Sequence, residues 1–236
     1  MNLILFEKHE VQNPLPINDP RTVHILKVLH KKAGESFDAG IIDGKRGKAE
    51  IISINNTGLN FTLSLFEEAP RRLPVEIGVG FVRPIQLRRI LRTLSSAGIK
   101  KISFFGTDLG EKSYLNTILF KDGGARAALL EGAEQSRDTL LPELSCYKNA
   151  DLWISSLNQQ SGIRIIADKH DAASSFINLP KTASGYIIAI GSERGWSERE
   201  RTIFYNAGFK AFSLGARALR TESAALAAAV IAGLCL

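Results

Sequence analysis

The sequence contains few of the residues that build disulfide frameworks and metal sites. It has only two cysteines and four histidines in 236 residues. Cys146 and Cys235 lack the spacing of metal ligands, and two cysteines do not make a disulfide framework. We therefore expect both to be packed thiols in a reducing compartment, and we expect no metal site.

Long apolar runs are missing as well. No stretch reaches the roughly 18 apolar residues that a membrane-spanning helix needs. The first residues, "MNLILFEKHEV", carry their charges after the apolar stretch, which is the reverse of a signal peptide. Internal repeats, low-complexity tracts and heptad runs are absent, which excludes solenoids, coiled coils and collagen-like chains. These features predict a cytoplasmic protein without a membrane segment.

What the sequence does contain is an excess of positive charge. It has 30 Lys and Arg against 24 Asp and Glu, which gives a net charge of +6. Two stretches, 21–32 and 83–101, contain several basic residues and no acidic residue. Such stretches are typical of a surface that follows the phosphates of a nucleic acid. Solvated helix faces explain them equally well, so both interpretations stay open.

The first part of the chain, to about residue 66, has the pattern of short strands. Four β-like segments are separated by turn signals, and they are "LILF", "ESFDAGIID", "GKAEIISI" and "LNFTLSLF". Asp19 and Pro20 open a predicted helix after the first segment. The apolar face of this helix consists of Val23, Ile25, Leu26 and Leu29. The pattern predicts a small barrel-like module with one helix, followed by a linker over 67–74.

Strands and helices alternate after Pro74, which predicts a parallel sheet with crossover helices. The predicted strands are "VEIGVGFV", "KKISFFG", "ELSCY", "IRIIAD", "YIIAIG" and "KAFSLG". The predicted helices are "IQLRRILRTLSSAG", "ARAALLEGAEQSR", "NADLWISSLNQQ", "SERERTIFYNAG" and "TESAALAAAVIAGL". Because the last helix is rich in alanine, we expect it to pack closely, either against the sheet or against a second copy of the chain.

Three strand ends near the C-terminus carry glycine and polar residues. They are "RIIAD" at 164–168, "AIGSERGW" at 189–196 and "SLGARALRTESAA" at 213–225. The carboxyl ends of adjacent parallel strands lie at one edge of a sheet, where α/β proteins bind ligands. We therefore expect the three loops to form one pocket. The spacing of Gly191 and Gly195 matches neither the dinucleotide-binding fingerprint nor the P-loop.

Two of these loops lead into predicted helices. Ser197 and Glu200 have the pattern of a capping box. Thr221 is the predicted N-cap of the last helix, and it stands between Arg220 and Glu222. A charged triplet at the start of a helix is suited to anion binding or proton transfer. A structural salt bridge beside a cap explains it as well.

Four segments resemble the signatures of one known family. They are "IGSERGWSERE", "SLGARALRTESAALAA", "HILKVLHKK" and "EGAEQSR", and their order and spacing agree with the family over nearly the whole chain. On these segments the chain is identified as a member of the RsmE family, the 16S ribosomal RNA uridine N3-methyltransferases. It departs from the family pattern at several positions, among them Ser192 in place of proline and Arg194 in place of glycine.

The resemblance implies an α/β fold with two domains. Residues 1–68 are expected to form a PUA-like β-barrel that binds RNA. Residues 74–236 are expected to form a SPOUT methyltransferase domain with a C-terminal deep trefoil knot. The implied cofactor is S-adenosyl-L-methionine, and the implied reaction is methylation of N3 of a specific uridine. The implied partners are the 16S ribosomal RNA of the small ribosomal subunit and a second copy of the chain in a homodimer.

The resemblance also implies the residues of the site. Those expected to bind the cofactor are Ala167, Ile190, Gly191, Ser192, Glu193, Gly195, Ser213, Leu214, Gly215, Leu219 and Thr221. Arg220 is expected to stabilise negative charge on the uracil oxygens, because its guanidinium stays charged and offers planar donors. Glu222 or Glu193 is expected to accept the N3 proton. A role of Glu222 that only orients Arg220 is equally open.

Basic residues are expected to position the RNA backbone. They are Arg21, His24, Lys27, His30, Lys31, Lys32, Lys45, Arg46, Arg83, Arg88, Arg137 and Arg194. Two alternatives to the favoured function remain. One is a SPOUT methyltransferase that acts on another RNA. The other is a non-catalytic RNA-binding or ribosome-assembly protein, which the changes at Ser192 and Arg194 support.

Overall fold

The structure of the protein is a computed structural model, and it describes residues 3–157, 160–170, 172 and 174–236. The chain divides into two compact units. Unit 1 comprises Met1–Arg71 and Ala133–Leu141, and unit 2 comprises Arg72–Gly132 and Pro142–Leu236. No helix within the described ranges is long and apolar enough to cross a membrane.

Unit 1 is built around a five-stranded sheet. Its strands are β1 (Ile4–Phe6), β2 (Leu15–Pro16), β3 (Ser36–Ile41), β4 (Arg46–Ile54) and β5 (Gly58–Glu67), in the spatial order β1-β3-β4-β5-β2. Strands β3, β4 and β5 are antiparallel neighbours, whereas β1 pairs in parallel with β3. The four strands predicted for this region are confirmed, and β2 is an addition. Inward-facing residues of the strands form one apolar core, in which Phe6 stacks on Phe61.

The helix of unit 1 starts where the sequence predicts it. α1 (Pro20–Val23) is capped by Asp19, whose carboxylate accepts a hydrogen bond from the backbone N–H of Arg21. The chain then continues in a π-helical turn. This wider turn rotates the apolar face. As a result Ile25 is fully buried, but Val23 is exposed, and its predicted place on the apolar face is wrong.

The segment 133–141 belongs to unit 1, although the sequence analysis placed it in the second domain. The backbone N–H of Asp43 donates a 2.8 Å hydrogen bond to the carbonyl of Thr139. The backbone N–H of Leu141 donates a 3.0 Å bond to Oδ1 of Asp43. Gly40 leaves room for Thr139, because a Cβ at Gly40 would lie 2.6 Å from the threonine methyl group. Turn residues make these contacts, so the apolar periodicity does not reveal them.

Unit 2 contains a seven-stranded sheet in which all neighbouring strands are parallel. Its strands are β6 (Leu73–Gly80), β7 (Ile99–Phe105), β8 (Glu143–Tyr147), β9 (Ile163–Ala167), β10 (Ser174–Ser175), β11 (Tyr186–Ile190) and β12 (Lys210–Ser213). Their spatial order is β10-β12-β9-β11-β6-β7-β8. The six predicted strands and the parallel arrangement are confirmed. The last two residues of the predicted linker, Leu73 and Pro74, belong to β6.

The five helices predicted after the linker are also confirmed. They are α2 (Pro84–Ser96), α3 (Gly124–Ser136), α4 (Ala150–Ser156), α5 (Glu198–Asn206) and α6 (Thr221–Leu234). Residues 158 and 159, near the end of the predicted helix over 149–160, lie outside the described residues. Helices α4 and α5 pack on the sheet through an aromatic core that includes Trp153, Phe204 and Phe105. All five residues of β11 are buried, as in a central strand.

The alanine-rich helix α6 packs within the chain. Ala225, Ala228, Ala229 and Ala232 are fully buried, and the helix contacts α2, β6 and β11. Small residues allow this close approach. Of the two expected arrangements, the structure therefore shows packing against the sheet. The opposite side of α6 still presents exposed apolar residues, including Leu234.

Candidate active site

The carboxyl ends of β9, β11 and β12 lie side by side, because β9 pairs in parallel with both other strands. The loops after these strands line one cavity of about 290 Å³, which we call the first cavity. The residues that the sequence analysis expected at a cofactor all line it: Ala167, Ile190, Gly191, Ser192, Glu193, Gly195, Ser213, Leu214, Gly215, Leu219 and Thr221. The three loops thus meet in one pocket, as expected from parallel strand ends.

Further residues that are not among the eleven expected cofactor-binding residues also line the first cavity. They are Asp168, Lys169, Trp196, Arg217, Ala218 and Ala224. Asp168 and Lys169 directly follow β9, so their position at a strand end was a usable signal. Trp196 lies in the segment 189–196, which is expected at the pocket, although an aromatic residue in a loop is more often part of the core. In this structure Trp196 packs in the aromatic core and also lines the first cavity.

The two glycines of the loop after β11 serve a tight turn. Gly195 has φ of +72°, in the left-handed region that favours glycine, and its N–H donates a 2.9 Å hydrogen bond to the carbonyl of Ser192. Gly191 lies against the same turn, because a Cβ there would meet the Cα of Gly195 at 3.2 Å. The charged pair Glu193 and Arg194 therefore stands at the tip of the turn, where both side chains are exposed.

The first cavity is braced by contacts between its loops. The indole Nε1 of Trp196 donates a 3.1 Å hydrogen bond to the carbonyl of Ala167. Asp168 forms a 2.7 Å ion pair with Arg201 of α5, and only 9% of the aspartate side chain is exposed. These two contacts hold the loop after β11 and the start of α5 against the end of β9. The hydrogen bond of Trp196 and the ion pair of Asp168 therefore both fix the position of the loop after β11 in the wall of the first cavity.

A second cavity of about 590 Å³ adjoins the first. It is lined by Arg83, Gln86, Leu109, Gly110, Glu111, Tyr114, Ser192, Glu193, Arg194, Ala218, Leu219, Arg220 and Thr221. The residues that line both cavities are Ser192, Glu193, Ala218, Leu219 and Thr221. A ligand in one cavity would therefore touch the same loop segments as a ligand in the other.

The lining of the second cavity is rich in hydrogen-bond donors. It contains the three arginines Arg83, Arg194 and Arg220, and none of them forms an ion pair with the described residues. The Nε of Arg83 donates a 3.3 Å hydrogen bond to the hydroxyl of Tyr114. This bond, together with the charge of Glu193, raises the pKa of the Arg83 guanidinium. The amide Oε1 of Gln86 is buried without a hydrogen-bond partner within the described structure.

A buried carboxylate joins the two loops that form the second cavity. Glu200 is fully buried, and its carboxylate accepts hydrogen bonds from the backbone N–H groups of Ser197 (2.9 Å) and Asp108 (3.0 Å). Burial raises the pKa of Glu200. Arg199 forms a bidentate pair with Asp108, which lowers the pKa of that carboxyl. The predicted capping box of Ser197 and Glu200 is confirmed, and it also anchors the loop after β7.

The three proposed catalytic residues occupy different positions. Arg220 is exposed and lines only the second cavity, whereas Glu193 lines both cavities. Glu222 lines neither cavity, and its Oε2 is buried without a hydrogen-bond partner among the described residues. The prediction that Thr221 caps α6 is wrong. Arg220 has the extended backbone of an N-cap, and Thr221 is the first helical residue and is buried.

Several basic residues expected at RNA are already paired with carboxylates. Arg21 bonds to Glu10 and Asp19, each at 2.8 Å, and lies over the ring of Phe6. Arg21 is the main cause of the lowered pKa of both carboxyls. The other paired residues are Lys45 with Glu68, Arg46 with Glu67, Arg88 with Glu131 and Arg137 with Asp38.

The remaining basic candidates are free of ion pairs with the described residues. In unit 1 they are His24, Lys27, His30, Lys31 and Lys32, which lie on the helical segment and the turn after it. In unit 2 they are Arg83 and Arg194, which line the second cavity. The described residues contain no group of three or more His, Cys, Asp or Glu side chains that could hold a metal ion.

Known proteins resemble the chain over nearly its full length. A ribosomal RNA small subunit methyltransferase E of Treponema pallidum is 38% identical, with 98% of this chain and 90% of the relative covered. A ribosomal RNA small subunit methyltransferase E 1 of Borreliella burgdorferi is 32% identical over 98% of this chain and 97% of the relative.

A solved structure with the same fold is a putative methyltransferase of Legionella pneumophila, described as a complex with bound cofactor SAM. Its TM-score is 0.80 at 19% identity, with 99% of this chain and 97% of that chain covered. The family model of the RNA methyltransferase domain matches residues 69–233. The chain therefore belongs to the RsmE family of small-subunit ribosomal RNA methyltransferases.

Proposed function

We propose that the protein uses S-adenosyl-L-methionine to methylate N3 of a specific uridine in the 16S ribosomal RNA of the small ribosomal subunit. The observation that carries this proposal is the pair of adjoining cavities, which share five residues at the edge of the parallel sheet. A methyl transfer needs a donor and an acceptor held in line and in contact. Two cavities with a common wall provide such an arrangement.

The lining of the first cavity fits the cofactor in chemistry. Apolar side chains such as Ile190 and Leu214 line it, and the exposed carboxylate of Glu193 suits a positively charged ligand. When bound, S-adenosyl-L-methionine supplies an electrophilic methyl group on a sulfonium centre. The proposed binding residues are the eleven expected from the sequence together with Asp168 and Trp196.

The second cavity suits the acceptor nucleotide. Uracil N3 carries a proton and is a poor nucleophile while it is neutral, so the site must remove this proton and stabilise the resulting anion. Arg220 stabilises the anion through its fixed charge. Glu193 is the proposed proton acceptor, because it lines both cavities and Glu222 lines neither. Glu222 is assigned no step in the reaction.

Unit 1 is the proposed RNA-binding domain. Residues 1–68 form a PUA-like barrel in this proposal, and the residues that contact the RNA backbone are the unpaired His24, Lys27, His30, Lys31 and Lys32. The paired arginines of the unit have a structural role instead. In residues 74–236, the proposed trefoil knot includes the three loops of the first cavity.

We further propose that two copies form a homodimer through the outer side of α6. Val230 and Leu234 are 47% and 79% exposed on this helix. A contiguous exposed apolar patch marks a protein–protein contact, and twofold homodimers are the commonest oligomers. A Val230→Glu/Leu234→Glu variant is expected to be monomeric in light scattering, whereas the wild type is dimeric. A monomeric wild type would contradict the proposal.

The function is tested by methyl transfer to small ribosomal subunits from cells that lack the enzyme. The subunits are incubated with the protein and labelled S-adenosyl-L-methionine, and the product nucleoside is identified by mass spectrometry. The expected product is N3-methyluridine in 16S ribosomal RNA. A different methylated nucleoside would show another RNA substrate or another position. No methyl transfer, with the cofactor still bound in calorimetry, would indicate another RNA substrate, and no cofactor binding at all would support the non-catalytic alternative.

A further inference from the structure

The second cavity contains more hydrogen-bond donors than one catalytic arginine provides. Arg220 enters it from the start of α6, and Arg83 enters it from the start of α2. Neither guanidinium has a carboxylate partner within 4.0 Å in the described structure. The sequence analysis placed Arg83 with the residues that contact the RNA backbone. Its position in the cavity beside Arg220 indicates a different role.

The chemistry of uracil explains why two guanidiniums are needed. When N3 loses its proton, the negative charge is shared between N3 and the two neighbouring carbonyl oxygens, O2 and O4. A group that only donates hydrogen bonds stabilises this anion more than the neutral base. One guanidinium reaches one side of the ring, so the second oxygen needs its own donor. The lining of the cavity offers such donors on different loops.

We propose that Arg83 is a second catalytic residue, which binds one carbonyl oxygen of the acceptor uracil while Arg220 binds the other. This proposal rests on the proposed function, since it concerns the same uridine. The N3–H bond breaks, and its proton passes to the carboxylate of Glu193. The N3 electron pair then forms the new N–CH3 bond as the sulfur–methyl bond of the cofactor breaks, which leaves a neutral thioether. The two arginines carry the charge of the uracil anion between these events.

Tyr114 orients Arg83 for this task. Its hydroxyl oxygen accepts the hydrogen bond from Nε of Arg83, so the two terminal nitrogens remain free for a planar acceptor such as a carbonyl. Tyr114 lies on the 3-10 turn Lys112–Asn116, which follows the loop that Glu200 anchors through Asp108. Tyr114 is therefore a positioning residue.

The test is an internal competition between two acceptors of different acidity. Cells that lack the enzyme are grown with 5-fluorouracil, and their small ribosomal subunits then carry a mixture of uridine and 5-fluorouridine. The fluorine makes the N3–H bond of the base more acidic, so its anion needs less stabilisation. The wild type, Arg83→Gln, Arg83→Lys and Tyr114→Phe are compared by the ratio of N3-methyl-5-fluorouridine to N3-methyluridine, measured by mass spectrometry.

The expected result is a selective loss on normal uridine. Arg83→Gln should lower the rate on uridine by roughly 100-fold, as for loss of one donor to a developing anion. The rate on 5-fluorouridine should fall much less, so the product ratio rises. The rising limb of the pH–rate profile should move to higher pH. Tyr114→Phe should shift the product ratio and the pH–rate profile in the same direction as Arg83→Gln, but by a smaller amount. Arg83→Lys should give values between those of the wild type and those of Arg83→Gln.

The control is Lys210→Gln, at an exposed basic residue that lies outside the basic stretches 21–32 and 83–101 and lines neither cavity. It should leave ratio, profile and rate unchanged. An unchanged product ratio in Arg83→Gln would overturn the proposal, whether the rate falls or not. A weaker affinity for the subunit with a normal turnover would assign Arg83 to the RNA backbone instead. If the wild type forms neither N3-methylated product, the proposed function itself fails. This outcome differs from an unchanged product ratio and from a weaker affinity for the subunit, which concern only Arg83.

Discussion

The ion-paired arginines of unit 1 and the two arginines at the second cavity of unit 2 differ in how their donors are used. In unit 1, Arg21, Arg46 and Arg137 each form an ion pair with a carboxylate of the same unit. In unit 2, Arg83 and Arg220 surround the second cavity without an ion pair to any described residue. The guanidinium groups of the paired arginines donate hydrogen bonds to carboxylates of unit 1 and so stabilise its strands and turns. The guanidinium groups of the unpaired arginines are available to donate hydrogen bonds to a ligand.

The comparison shows why an excess of basic residues is a weak guide to RNA contacts. All five of these arginines look alike in a sequence, because their partners come from other parts of the chain. Glu10 lies eleven residues from Arg21, and Asp38 lies ninety-nine residues from Arg137. Only the folded chain shows which guanidiniums are already neutralised. The following predictions separate the two groups by experiment.

The largest effect is expected from Arg220→Ala. Loss of the guanidinium that stabilises the uracil anion should lower turnover by roughly 100- to 1,000-fold. The thermal midpoint and the cofactor affinity should stay close to those of the wild type, because Arg220 is exposed and makes no side-chain cap. Methyl transfer and calorimetry measure these quantities. The control is Lys210→Ala, which should have normal turnover. Near-normal turnover of Arg220→Ala would show that Arg220 does not take part in catalysis.

Arg21→Ala should act on stability instead of turnover. Only 23% of the Arg21 side chain is exposed, and its removal leaves Glu10 and Asp19 without their shared partner. Loss of one member of such a cluster is expected to destabilise unit 1 by about 2 kcal/mol. Hydrogen exchange of peptides from β1 and β3 measures how readily unit 1 unfolds locally, so faster exchange is expected in Arg21→Ala. Unchanged exchange would show that Arg21 does not hold the unit together.

Reversal of charge at the unpaired lysines should weaken RNA binding. The variant Lys31→Glu/Lys32→Glu is expected to bind small-subunit ribosomal RNA about tenfold more weakly at physiological salt and with a smaller salt dependence. The variant Lys8→Glu/Lys48→Glu changes the net charge equally at exposed lysines outside the predicted RNA set. If both variants lose the same affinity, the effect comes from overall charge and not from a site.

The smallest effect is the acid sensitivity of unit 1. Arg21 lowers the pKa of Glu10 and of Asp19 below their ordinary values of 4.5 and 3.8. The stability from these carboxylates is therefore present above about pH 4.5 and is lost as the pH falls through their lowered values. Hydrogen exchange at stepwise lower pH should show unit 1 opening more easily. Glu10→Gln should flatten this dependence, and an equally steep dependence in the variant would contradict the assignment.

Much of the fold could be predicted from the sequence, because local patterns determine it. Apolar runs such as 186–190 become buried parallel strands, and Ser197 with Glu200 caps α5. The first cavity was predictable for the same reason, since parallel strand ends share an edge. The sheet order was not predictable, and neither was the segment 133–141 in unit 1, because both depend on contacts between distant residues.

The second cavity could not be predicted from the sequence. Tyr114 and Glu111 come from the loop after β7, and Gln86 comes from the start of α2, so no single motif contains them. Arg83 is expected from the sequence only as a contact of the RNA backbone. The role of Thr221 as an N-cap was wrong because residue type favours a cap where the backbone begins the helix one residue earlier.

A calorimetric titration with S-adenosyl-L-methionine tests the central claim, that the two cavities divide the donor and the acceptor, most directly. It compares the wild type with Leu214→Arg, which fills the first cavity, and with Leu109→Arg, which fills the second. We expect the wild type and Leu109→Arg to bind the cofactor with similar affinity, and we expect Leu214→Arg not to bind it. Binding by Leu214→Arg together with loss of binding in Leu109→Arg would contradict the account.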